Sequence, residues 1–208
     1  MKNTQSLKSL IQIGAIAGMA SIISYLIIAF FDLPNAITFL LAMLFPMLGI
    51  VAVFSLKEYI TDQLPSYANS LSFTFGSIAF TICAIFLSAQ LAVQIEVKPT
   101  TDAENQAVLK LIKASIRVVD MGMDVAWDMF IGTYLLLFLF STQRITTLKW
   151  WGLTGGILGI ALMILNVYTF PIPPANSGLF DLGPFIALFL FALHVRMFFL
   201  GRQMQETE

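Results

Sequence analysis

Asp120, Asp124 and Asp128 stand four residues apart in the stretch Asp120-Met-Gly-Met-Asp124-Val-Ala-Trp127-Asp128, which passes without a break into the apolar run Met129 to Phe140. A helix turns once in about 3.6 residues, so positions i, i+4 and i+8 fall on one face. Carboxylates so aligned can exchange protons, attract a cation or take part in a metal site. Placed inside an apolar span they are costly, and for that reason they are functional candidates. A protonated member of the Asp124 and Asp128 pair would instead act as a neutral hydrogen-bond donor.

The elements that carry these acids follow from composition. Of 208 residues, 58% are hydrophobic and 11% charged, and the mean hydropathy is +0.86. About a quarter of a typical soluble domain is charged, so the expected class is an all-α membrane protein. A bilayer core takes about 20 apolar residues per helix. Six stretches qualify in one domain covering residues 1–208, at about 10–31, 36–55, 69–93, 119–140, 150–169 and 180–200. Polar or proline-containing segments separate them, including Asp32-Leu-Pro34-Asn35, Lys57 to Pro65, Lys98-Pro99 and Phe170-Pro171-Ile-Pro173-Pro174. The formal net charge of −1 gives no reason to expect nucleic acid as a partner. Cys83 is the single cysteine, so no internal disulfide can form. Lys2 and Lys8 ahead of an apolar stretch resemble a signal peptide. The stretch is too long and lacks a small-residue cleavage site, so a retained span is expected.

Basic residues set the expected orientation. With the N-terminus inside, Lys2, Lys8, Lys57, Arg144, Lys149, Arg196 and Arg202 are cytoplasmic, and the outer connections after spans one and five hold no Lys or Arg. Both termini are then cytoplasmic. The third connection departs from this rule with Lys98, Lys110, Lys113 and Arg117. Thr101-Asp-Ala-Glu104 has the form of a capping box, and Val108, Ile112, Ser115 and Val119 recur at helical spacing. An amphipathic outer helix between spans three and four is expected, lying on the surface or projecting from span four.

Depth then gathers the polar residues. Span four enters from outside, so Asp124 lies roughly 6 Å and Asp128 roughly 12 Å beneath Asp120, at 1.5 Å per residue. Gln90, Gln94 and Glu96 end span three on that side, Asn166 and Tyr168 end span five, and Asp181 opens span six. The simplest arrangement is an outward-facing polar cavity with Asp124 and Asp128 at its centre and Asp181, Asn166 and Gln90 around them, roofed by the helix carrying Lys110, Lys113 and Arg117. Each member has a plainer reading. Asp181 suits an N-cap of span six, Asp120 an interface residue paired with Arg117 or Lys113, and Asn166 a hydrogen bond between helices. His194 has no second candidate ligand near it in sequence and reads as a packed, hydrogen-bonded residue.

Small residues equip several spans for close packing: Gly14-x3-Gly18, Gly152-x3-Gly156 and Gly155-x3-Gly159. A helix-mediated homo-oligomer is compatible with such faces. Pro46 should free the Ala42 carbonyl and bend span two. Ala68 to Gly76 and Ala175 to Gly183 agree at five of nine positions, which suggests an inverted internal repeat of three spans.

Asp124-Val-Ala-Trp127-Asp128-Met-Phe130-Ile-Gly132, together with Thr169 to Pro174 and Asp181-Leu-Gly183-Pro184-Phe185, resembles an uncharacterised family of small bacterial integral membrane proteins known only as a domain of unknown function. The resemblance covers mainly the last three spans. It implies the bacterial cytoplasmic membrane and brings no activity with it. The acid spacing is also similar to that of the CDP-alcohol phosphotransferases, but their Asp-x2-Asp-Gly-x2-Ala-Arg segment is missing here. Intramembrane zinc hydrolases need several histidines, and His194 stands alone. No Gly-x-Ser-x-Gly elbow is present, and no late span carries a lysine for retinal. No catalytic residue, metal ligand or cofactor is therefore assigned. The expected function is binding of a small polar or cationic ligand at the aspartates. A proton-linked small-molecule transporter, a metal-dependent membrane enzyme and a partner-binding bundle are the alternatives.

Overall fold

Prolines and polar segments break the apolar chain into the helices they delimit. A computed structural model describes residues 4–96 and 103–206. In order these form α1 (Thr4–Phe30), α2 (Asn35–Gln63), α3 (Tyr67–Glu96), α4 (Ala103–Thr142), α5 (Lys149–Thr169) and α6 (Gly183–Glu206), with a short 3-10 turn at Pro174–Ser177. There is no strand among the described residues. Pro34, with φ −55°, directly precedes α2, where a missing N–H costs nothing. The same helix closes with the Leu64 N–H on the Ile60 carbonyl, 2.8 Å away, one residue before Pro65 stops it. All six helices are long and apolar enough to cross a membrane.

Consecutive helices from α1 to α5 pack side by side, α6 returns against α1, and α5 and α6 barely touch. Ser21 Oγ donates to the Phe45 carbonyl at 2.7 Å and Ser55 Oγ to the Leu10 carbonyl at 3.0 Å, so α1 and α2 run antiparallel; Ser72 Oγ ties α3 to α4 through the Tyr134 carbonyl at 3.1 Å. We call the end at which α1 finishes and α2 begins the upper end; α1 starts and α6 finishes at the lower one. The lower half of α4 is the centre of the core, where Ile131, Tyr134, Leu135 and Phe138 are buried. The outward faces carry exposed Ile13, Ile16 and Ile23 on α1 and Ile157, Ile160 and Ile164 on α5. Soluble monomers rarely leave apolar patches of that extent in water.

Three differences from the sequence reading have physical causes. The segment expected as an amphipathic outer helix, either on the surface or projecting from span four, is the beginning of α4, which runs unbroken through 40 residues. Its Lys110, Lys113 and Arg117 are exposed on that extension, as are Val108, Leu111, Val118 and Val119, so a projecting helix replaces the expected roof. The capping box at Thr101 lies outside the described residues, as does Lys98. Second, α2 continues to Gln63 instead of stopping near 55, because the turns beyond that point bury Leu56, Tyr59 and Ile60. Third, the two halves are not alike. Ala68 to Gly76 is continuous helix, whereas the matching stretch is a 3-10 turn followed by non-helical chain up to Gly183. The close packing of α2 on α3 also has no counterpart between α5 and α6.

The glycine faces do bring helices together. A Cβ on Gly159 of α5 would lie 2.5 Å from the Gly132 carbonyl oxygen of α4, so the two backbones meet where neither carries a side chain. On α1, Gly14 receives Ser55 and Gly18 receives the His194 ring.

Candidate functional site

The close approach of α4 and α5 at Gly132 and Gly159 has a chemical consequence one turn above Gly132. There it brings two short polar side chains, Asp128 and Asn166, into direct contact. Asn166 Nδ2 donates to Asp128 Oδ2 at 2.9 Å and to the Leu162 carbonyl at 3.0 Å. Asp128 is 8% exposed and Asn166 1%. Asn166 Oδ1 has no donor and is one of few buried polar atoms without a partner among the described residues. Asp124 and Asp120, one and two turns higher on α4, are half-buried.

Asp181 arrives from the chain ahead of α6. Its Oδ1 accepts the Gly183 N–H at 2.8 Å, doing the work of a cap from one residue outside the expected position. Its charge lies within electrostatic reach of both Asp124 and Asp128. Tyr25, on α1 across the bundle, lies within electrostatic reach of the same three carboxylates. No basic side chain among the described residues forms an ion pair with Asp120, Asp124, Asp128 or Asp181. The pairing of Asp120 with Arg117 or Lys113 weighed from sequence is thus not made.

Below the level of Asp124 runs a narrow crevice with a volume of about 20 Å³, room for about one water molecule. Ile22 and Tyr25 of α1, Phe45 of α2, Phe80 of α3, Trp127 and Ile131 of α4, and the face of α6 from Gly183 to Leu190 line it. Trp127 Nε1 is buried there without an acceptor. Asp124 lies three residues before Trp127 and Asp181 two before Gly183, so both stand near the upper end of this apolar crevice without lining it. Among the described residues, no three His, Cys, Asp or Glu side chains converge closely enough to hold a metal ion.

Of the five residues predicted from sequence, Asp124, Asp128, Asp181 and Asn166 come together and Gln90 does not. Gln90 lies at the same end but lines another cleft, with Asp32, Asn35, Thr38 and Gln94. Its rotation about α3 aims it toward α1 and α2, away from α4. Tyr25 and Trp127 were missed as site members. Tyr25 carried a usable signal, because it sits about five residues short of the end of span one and so at the depth of the acids.

His194 is buried, and its Nδ1 donates to the Leu190 carbonyl at 2.6 Å. Its Nε2 has no partner among the described residues. An unsatisfied buried nitrogen offsets what the single hydrogen bond contributes, so His194→Phe should change stability by less than about 1 kcal/mol. Denaturation of the purified variant checks this, and a larger loss would mean that the ring has a partner at Nε2.

No protein-family model matches the chain, and no curated protein or solved structure gives a significant match.

Proposed function

We propose that this chain is a six-span protein of the bacterial cytoplasmic membrane, with both termini inside, whose outward-facing acidic mouth binds a small cationic ligand. The membrane assignment is supported by six helices of spanning length. The orientation is supported by Lys57, Arg144, Lys149, Arg196 and Arg202, all toward the lower end, against no Lys or Arg in the connections after α1 and α5. One observation carries the ligand: Asp128 is buried with Asn166 as its hydrogen-bond donor, Asp124 and Asp181 stand at the same end, and no basic side chain among the described residues pairs with any of the three. Uncompensated charges in so apolar a setting are expensive to keep. A bound cation removes that cost.

Thermal unfolding of the detergent-purified protein tests the reading. A saturating cation that binds only the folded state should stabilise the wild type by about 2.7 kcal/mol at a hundred times its Kd. Asp124→Asn/Asp128→Asn should lose the response. The wild type should lose it too as pH falls, because protonated carboxyls no longer attract the cation. Curves that no cation shifts at neutral pH would refute the reading.

A further inference from the structure

We infer that the cleft at the upper ends of α1, α2 and α3 binds a neutral polyhydroxylated molecule of the size of a sugar ring. The inference is independent of the cation reading, because none of Asp124, Asp128 and Asp181 lines this cleft. Its volume of about 400 Å³ falls within the range of small-molecule sites, about 300 to 1,000 Å³. Asn35 opens α2 at the rim, and Ala42, seven residues further along that helix, lies about 10 Å deeper at 1.5 Å per residue. Gln90 and Gln94 stand four residues apart and so face the cleft together from α3. Ile28 and Phe31 close it from the side of α1.

The chemistry of the walls selects the ligand. Asn35, Gln90 and Gln94 bring three side-chain amides, each with two N–H donors and one carbonyl acceptor. Among the described residues none of these amides is engaged in a hydrogen bond. Amides so placed in an apolar helix are costly unless water or a ligand meets them. Thr38 Oγ1 donates to the Leu33 and Pro34 carbonyls, at 3.3 Å each, and keeps its capacity as an acceptor. Asp32 adds a carboxylate without an ion pair among the described residues. No Lys, Arg or His among the described residues lines the cleft, so an anion finds no opposite charge there. A single exposed carboxylate is also a poor trap for a cation, because water screens the attraction. A hydroxyl both donates and accepts, so a polyol answers the amides and the carboxylate alike. Phe31, 64% exposed at the rim, offers a flat apolar face to the C–H side of a sugar ring.

Equilibrium dialysis of the purified protein against radiolabelled glucose, myo-inositol, phosphate and tetramethylammonium tests the inference. The detergent is a polyoxyethylene, because maltoside headgroups are themselves sugars. At least one of the two polyols should bind, and Gln90→Leu/Gln94→Leu should weaken that binding about tenfold, each lost hydrogen bond contributing a few-fold. Both replacements are apolar on a helix of spanning length, so the variant should keep the wild-type Tm. Asp32→Ala, at an exposed position between α1 and α2, should weaken polyol binding as well without endangering the fold. Octyl glucoside below its micellar concentration separates two sources of the same chemistry. Displacing the labelled polyol better than free glucose does would mark a glycolipid headgroup, and displacing it no better would mark a free sugar; either supports the inference. Binding of neither polyol, or polyol binding that survives both variants, would overturn it. So would phosphate or tetramethylammonium binding that both variants remove, since the cleft would then select charge.

Discussion

Gly159→Leu should leave little folded protein to purify. The first atom of any side chain at this position would sit 2.5 Å from the Gly132 carbonyl oxygen and 2.9 Å from Leu135 Cβ. The nearest obstacle is backbone, which cannot rotate aside, so α4 and α5 must part along their contact. Overpacking a core costs about 1–3 kcal/mol where side chains can adjust. Here they cannot, and the loss is set against a total stability of about 5–15 kcal/mol. Gly156 offers a matched comparison, since its added Cβ would meet only the Leu139 side chain, 2.7 Å away at Cδ2. Gly156→Ala should therefore be milder than Gly159→Ala. Yield of monodisperse protein and Tm in detergent measure both, and a Gly159→Leu variant with wild-type Tm would show that the helices do not approach this closely.

That contact also shows what the sequence could and could not reveal. The number of helices was legible because each is an apolar run longer than a bilayer core, and the breaks hold prolines or charges. The Gly155-x3-Gly159 spacing announced a close approach but not its partner, which is Gly132 on α4. Depth along an axis was equally readable, since rise per residue is fixed. It correctly brought Asp124, Asp128, Asn166 and Asp181 to one end. Rotation about the axis was not readable for a helix that is apolar nearly all round, because no polar stripe marks its inner side. Gln90 was misassigned for that reason, and Tyr25 on the far wall was overlooked. The start of α4 was hidden differently. Lys110, Lys113 and Arg117 left residues 103–118 readable either as a surface helix or as an extension of span four, and backbone hydrogen bonding, which continues through them regardless of polarity, makes them the extension.

Asn166→Leu should destabilise the protein sharply, and Asp128→Leu added to it should restore most of the loss. In the single variant Asp128 keeps its buried position but loses the amide that donates to it at 2.9 Å. A buried polar group left unsatisfied costs about 1–3 kcal/mol, more when charged. Replacing both partners by leucine leaves no polar group to desolvate. The double variant should then approach wild-type stability or exceed it, and the coupling between the sites should reach about 0.5–3 kcal/mol. Denaturation of all four proteins in one detergent supplies the cycle. If Asn166→Leu were silent, the two side chains would not be in contact. If the double variant stayed as unstable as the single one, Asp128 would hold the fold together through some other partner. A double variant that is stable yet no longer responds to a cation that stabilises the wild type would separate the roles: apolar residues suffice for the fold at this position, and the carboxylate serves the ligand.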